Sequence, residues 1–299
     1  MLVGFLTNTF IGFLAYLMLR KLTTLRKVDA AAVAGYYGSD SAGTFVTCLG
    51  VLEASRVAFD AYMPVMLAVM EVPGCLVALI LISKLRRSGM DARGYMPGEP
   101  GFDEHTVKPT ESGGPLINSE ILREVLINPG LYLLFGGLVI GYVARLQGPH
   151  VVEVDDRLFV WLFQGFLCLF LMEMGMTAAQ RLRDLRDAGW RFAMFGLLAP
   201  NLFAVVGILV AHSYATMTGH ALNPGSYALF AVLCGAASYI AVPAVQRLAF
   251  PEASPTLPLA ASLGLTFTYN VTIGIPIYLM IAQSLASPIT GGIPLAAHP

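Results

Sequence analysis

Charge is what this sequence has least of. Of 299 residues only 12% are Asp, Glu, Lys or Arg, about half the share found in soluble domains, which argues against a soluble globular fold and against a nucleic-acid partner. Cysteine is nearly as sparse. Cys48, Cys75, Cys168 and Cys234 lie one to an apolar segment without paired spacing, so no disulfide framework or zinc site is suggested, and they read as small packing residues. Groupings for covalent catalysis are missing too: His105, His150, His212, His220 and His298 fall in loops or near expected helix ends, with no activated nucleophile beside them, which argues against an intramembrane enzyme. A cleavable leader is also absent from the reading, because the first apolar run ends in Arg20-Lys21 instead of a small-residue cleavage site.

Long apolar runs are what the chain has in quantity. Hydrophobic residues make up 56% and the mean hydropathy is +0.69. Runs of about twenty residues predict membrane-spanning helices over Leu2 to Leu19, Ala30 to Ala54, Met63 to Ile82, Pro129 to Arg145, Leu158 to Ala179, Trp190 to Ser213, Ser226 to Phe250 and Leu257 to Ala286. The fold class is therefore an all-α polytopic membrane protein. Basic residues gather in alternate loops, at Arg20 to Lys27, Lys84 to Arg123, Arg181 to Arg191 and Arg247, whereas the loops between them hold Arg56, Arg145 and Arg157. Lys and Arg accumulate on the cytoplasmic side, so both chain ends are expected outside. Residues 83–124 carry Gly, Pro and charge without apolar periodicity and read as a flexible cytoplasmic linker between a first membrane part, 1–82, and a second, 125–299.

One stretch breaks the apolar pattern. Tyr36 to Cys48 places Ser39, Asp40, Ser41, Thr44 and Thr47 among glycines inside a segment long enough to span. Lipid satisfies no polar group, so such a cluster should face a protein interior or a watery cavity and mark a binding path. The second part echoes the first. Gly38-Ser39-Asp40-Ser41 matches Gly235-Ala236-Ala237-Ser238, both helices run on to Glu-Ala-Ser at Glu53 to Ser55 and Glu252 to Ser254, and Glu71-Val72-Pro73 matches Gly274-Ile275-Pro276. Helices one to three thus correspond to six to eight. The offset is odd, so equivalent helices run in opposite directions, which is the inverted repeat of secondary transporters with interrupted helices crossing at the midplane. The fourth and fifth helices, in the second part, have no counterpart in the first, and their equivalents are expected upstream of Met1.

The run Gly38 to Thr47, the Met70-Glu71-Val72-Pro73 turn, the segment Met172 to Met176 and Asn270 to Pro276 together resemble the sodium-dependent bicarbonate transporter family of photosynthetic bacteria. The resemblance spans essentially the whole chain. It implies a five-plus-five inverted-repeat permease in the bacterial inner membrane, generally homotrimeric, with sodium as the coupling ion, no cofactor, and a PII-like cytoplasmic regulator. Carried over by position, the family's Ser-Gly-Ser-Thr run falls on Ser41, Ala42, Gly43 and Thr44, and its second serine run ends on Ser238. In cyanobacterial-type members of the family an Asp follows that serine, with another Ser two residues later. Here the positions hold Tyr239 and Ala241.

The expected substrate-binding set is Ser41, Gly43, Thr44, Ala237 and Ser238, at the starts of half-helices whose free N–H groups and positive dipole ends suit a small anion. The expected sodium set is Ser39, Asp40, Ser238, Glu71 and Asn270, since a hard cation takes carboxylate, carbonyl and hydroxyl oxygens. Gly35, Gly38 and Gly43 are expected to permit the first break, with Gly235 and Pro243 bracketing the second. Several readings stay open. Serines and threonines also bond their own helix or a neighbour; Glu71 and Glu173 either line the site or sit near helix ends beside a basic residue; Thr268, Asn270 and Thr272 line the cavity or bridge helices. The expected function is sodium-dependent bicarbonate symport. The alternatives are another small anion, a proton carried on Asp40, or a membrane sensor that transports nothing.

Overall fold

The computed structural model describes residues 1–107, 129–182 and 189–286. Among these the regular elements are all helical: α1 (Leu2–Leu22), α2 (Lys27–Tyr37), α3 (Ala42–Ala54), α4 (Met63–Met70), α5 (Val72–Arg87), α6 (Pro129–Gln147), α7 (Pro149–Phe159), α8 (Phe163–Arg181), α9 (Trp190–Thr218), α10 (Pro224–Gly235), α11 (Ala241–Ala249) and α12 (Thr256–Leu285). Five spans among the described residues are long and apolar enough to cross a membrane: Leu2–Leu22, Met63–Arg87, Pro149–Arg181, Trp190–Thr218 and Thr256–Leu285. The segments expected over Ala30 to Ala54 and Ser226 to Phe250 are each broken in the middle, at residues 38–41 and 236–240.

The core forms where these broken helices meet the rods. Helices α1, α2 and α5 pack on one another, α9 lies along α10, and α10 touches both α3 and α12. Small residues let backbones approach closely there, as membrane helix packing requires. A Cβ on Gly74 would lie 2.6 Å from the N of Ser39, and one on Gly38 would lie 2.9 Å from the Cα of Gly12. Gly38 itself has φ −83°, a conformation open to any residue. Its glycine serves contact, not the break, which corrects the expected role.

Kinks in the rods expose carbonyls that neighbours then satisfy. Pro200 sits inside α9 and has no N–H for the carbonyl of Gly196; the Thr266 hydroxyl donates to it at 2.8 Å and accepts from the Tyr37 hydroxyl at 2.7 Å. The Asn8 amide likewise donates to the Met70 carbonyl, at 3.0 Å, where α4 gives way to α5. Helix α12 contains two π segments, Ala260–Phe267 and Asn270–Gly274, which hydropathy does not reveal. By contrast α6, α7 and α8 bury little of themselves; Tyr132 is 74% and Phe166 65% exposed.

The linker reading changes where it is described. Residues 83–87 finish α5, and 88–107 are pinned in place instead of hanging free. Asp91 accepts N–H bonds from Arg93, Tyr95 and Asp103 at 2.9, 2.8 and 3.1 Å, and Glu99 accepts from the N–H groups of Lys27 and Met96. Arg26 stacks on Tyr95, pairs with Asp29 and donates to the carbonyls of Arg93 and Glu252. The rest of the linker, 108–124, lies outside the described residues, as do Arg183, Arg186 and His298. Of the cysteines, Cys48, Cys75 and Cys234 are buried packing residues, whereas Cys168 is exposed.

Candidate functional site

The two breaks face each other. Helix α2 ends at Gly38, and Ser41 opens α3 as its N-cap, with its oxygen accepting from the N–H of Thr44 at 3.3 Å and from the Thr44 hydroxyl at 3.0 Å. Such a cap satisfies one of the orphan donors of a new helix. Across from it, Ser238 donates its N–H to the carbonyls of Tyr36 and Ser39, at 2.8 and 3.1 Å, while its hydroxyl oxygen accepts from Val242 at 3.4 Å. The second break is thereby bonded to the first.

Between them lies a cavity of about 10 Å³ lined by Asp40, Ser41, Ala42, Glu71, Ser238, Tyr239 and Ile240. That volume admits one water-sized body. Asp40 is 1% exposed, and neither of its carboxylate oxygens has a hydrogen-bond partner. A buried carboxylate without donors is an expensive thing to keep, because its desolvation is not offset. Two helix starts converge on the same space: Ser41 and Ala42 at the head of α3, and Ile240 just before α11. Their partial positive ends favour an anion there, and the two acids favour a cation. Glu71, half-buried, is the joint between α4 and α5.

The structure brings together Asp40, Ser41, Glu71 and Ser238 from the expected sets, and places Thr44 and Gly43 directly behind them. Gly43 is pressed by Tyr239, whose hydroxyl would collide with any Cβ there, and by the Phe170 ring, 2.6 Å from that position. Ala237 is buried in the core beside the second break and does not line the cavity. Ser39 is spent elsewhere, its hydroxyl donating to the Glu71 carbonyl. Asn270 is spent as well: its amide donates to the Gly235 carbonyl at 2.9 Å, closing the end of α10, and its oxygen accepts from the Tyr278 hydroxyl at 2.9 Å. Neither residue lines the cavity; both brace the backbone around it. Thr268 and Thr272 are exposed and bond carbonyls of their own helix. Glu173 lies on the exposed flank of α8, away from the cavity.

Tyr239 is the wall residue that motif matching leaves out. Its signal was position alone: it follows Ser238 in the second break, as Ala42 follows Ser41 in the first. The ring packs edge-on to Phe267 at 5.5 Å, and its hydroxyl is turned in against Gly43.

Clasps on both sides hold the breaks in register. Asp29, near the start of α2, accepts the N–H of Ser254 at 2.8 Å, and Arg86 makes a two-pronged pair with Glu252 at 2.8 Å. Asp60, in the loop after α3, accepts from the hydroxyl of Ser226 and the amide of Asn223 at 2.6 and 2.8 Å, near the start of α10. Each first half-helix thus grips the loop that follows the other second half-helix.

Among curated proteins no match to this chain is found. Over residues 1–283 it matches the Na+-dependent bicarbonate transporter superfamily, a family of transporters and not of enzymes. A multi-pass helical fold with two broken helices joined at a buried, unpartnered acid is consistent with that match, and with nearly the whole chain covered, this protein belongs to the Na+-dependent bicarbonate transporter superfamily.

Proposed function

We propose that this chain imports bicarbonate together with sodium by alternating access, with the crossing of the two breaks as the site of both ions. The observation that carries the reading is Asp40, sealed from solvent with both oxygens unpartnered, facing a cavity it shares with Glu71, Ser41 and Ser238. A dehydrated sodium ion supplies what Asp40 lacks, and a hard cation is suited by carboxylate and hydroxyl oxygens together. The starts of α3 and α11 supply the positive ends and free N–H groups that a planar anion needs. At about 10 Å³ the cavity is closed to bicarbonate in this state, so loading requires Tyr239 and its neighbours to move. One sodium with one bicarbonate moves no net charge, and the voltage contribution of about 2.3 kcal/mol per charge per 100 mV then vanishes.

In this reading the chain lies in the bacterial inner membrane as a homotrimer, with 83–124 on the cytoplasmic side and a PII-like regulator docking there. Loop charge and family resemblance support these points. A second reading has its own observation. Two carboxylates on one small cavity favour sharing a proton, which would make the coupling ion H+ on Asp40. Uptake of labelled bicarbonate into sealed vesicles separates the two. Accumulation should follow an imposed sodium gradient and fail with potassium; accumulation that ignores sodium and follows a proton gradient overturns sodium coupling.

A further inference from the structure

Helix α8 carries a polar stripe that no part of the site uses. Its inner face, Leu167, Phe170, Leu171, Met174 and Ala178, packs on α3, Tyr239 and the first π segment of α12. Glu173, Thr177 and Gln180 stand at i, i+4 and i+7, which aligns them along one flank of the helix. None of the three side chains finds a hydrogen-bond partner among the described residues. Other threonines in these helices behave differently: Thr7, Thr9, Thr47 and Thr272 each fold their hydroxyl onto the carbonyl four residues back.

Depth makes the stripe informative. Glu173 precedes Arg181, the end of α8, by eight residues, or about 12 Å at 1.5 Å per residue. That end belongs to a basic loop and therefore to the membrane surface, so Glu173 sits close to the middle of a hydrocarbon layer about 30 Å thick. Lipid there opposes a carboxylate by roughly 2.5 to 3.5 kcal/mol, whereas on the same helix Met172 and Met176, 59% and 57% exposed, suit lipid. The stripe also begins one turn from Phe170, whose ring meets Gly43 beside the hydroxyl of Tyr239, the cavity-wall residue that packs on Phe267.

We infer that Glu173, Thr177 and Gln180 line a water-filled path leading from the aromatic barrier of Phe170, Tyr239 and Phe267 to the basic end of α8. Its direction rests on the transport reading of the cavity. Its wetness does not, and is tested apart from uptake. In a Cys168→Ala background, Glu173→Cys, Thr177→Cys and Gln180→Cys are each treated in intact membranes with a charged, membrane-impermeant thiosulfonate, with Met172→Cys and Met176→Cys as lipid-facing comparisons. Thiol attack needs the thiolate and hence water, so the three stripe positions should label about tenfold faster or more than the two methionine positions. Equal slow labelling at all five overturns the path. So does copper-catalysed cross-linking of stripe cysteines between copies with no labelling, which makes the stripe a packed interface. If labelling is fast yet uptake shows no sodium dependence, the path stands and the cargo reading fails.

Discussion

The N–H of Ser238 donates to the carbonyl of Tyr36 at 2.8 Å, so the second broken helix is hung on the end of the first. This bond exists only because α2 and its break pack tightly against α5, backbone to backbone at Gly74. Gly74→Ala should therefore destabilise the fold by about 1–3 kcal/mol or more, since the atoms in its way are backbone and cannot yield. Gly165→Ala, on α8 with nothing within 4 Å, should leave stability unchanged. Thermal unfolding of the two variants in detergent checks the contrast.

Asp40 and Tyr239 line one cavity; the resemblance would put an acid where Tyr239 stands, and Asp40 is expected to supply that charge from its own side as a relocated acid. Asp40→Asn should raise the sodium concentration for half-maximal uptake by about tenfold, the equivalent of 1.4 kcal/mol, with membrane expression retained. Adding Tyr239→Asp should restore part of the loss by returning a carboxylate to the opposite wall. Sodium titration of the unaltered protein, Asp40→Asn, Tyr239→Asp and the double change decides the matter. An unchanged half-saturation in Asp40→Asn would falsify the relocated acid and direct attention to Glu71.

Asn270 distinguishes a wall from a ligand. Asn270→Ala strands the Gly235 carbonyl and the Tyr278 hydroxyl, both now bonded to it, so stability should fall by about 1–3 kcal/mol. Sodium affinity in the folded fraction should stay as it was. A lowered sodium affinity with unchanged melting would make Asn270 a ligand after all.

The loop over 88–107 provides a test outside the membrane. Burial raises the carboxyl of Asp91, but N–H bonds from Tyr95, Asp103 and Arg93 outweigh it and hold the group below its usual value. A depressed folded pKa means that the stabilisation is present above the unfolded value, near 3.9, and is lost as pH falls through the lower folded value. Amide exchange at Tyr95 and Asp103 should stay slow from pH 7 to 5 and quicken below about pH 4. Asp91→Ala should make both amides fast at neutral pH. Slow exchange in that variant would show that Arg26 and Glu99 suffice to pin the loop.

Much of the molecule was legible beforehand because hydropathy alone sets where a chain can cross lipid. Five of the eight apolar runs fall on spans long enough to cross, one on α6 and two on the broken helices, and both breaks sit at the Gly-Ser-Asp-Ser and Gly-Ala-Ala-Ser matches. That Asp40, Ser41, Glu71 and Ser238 would gather inside the protein was legible for a related reason, since lipid at that depth disfavours polar groups. Less readable were the roles that depend on a partner far along the chain. Ser39 and Asn270 have the chemistry of ligands, and only the nearness of the Glu71 and Gly235 carbonyls turns them into struts. The reading of residues 88–107 as free failed likewise: the loop buries little apolar surface, and what fixes it is a set of acids aimed at its N–H groups.

What the sequence by itself determined is the membrane class, the number and placement of apolar segments, and the two places where a helix gives way to polar residues. These follow from local composition measured against a solvent that satisfies no backbone group. The tertiary structure alone decided which polar atoms are left over. A carboxylate, an amide and a hydroxyl are interchangeable on paper as ion ligands, but which of them reach one space, and which of those lack donors, is set by folding. Ser39 and Asn270 brace the walls through the Glu71 and Gly235 carbonyls, while Asp40 was left with two free oxygens on the cavity it shares with Glu71 and Ser238.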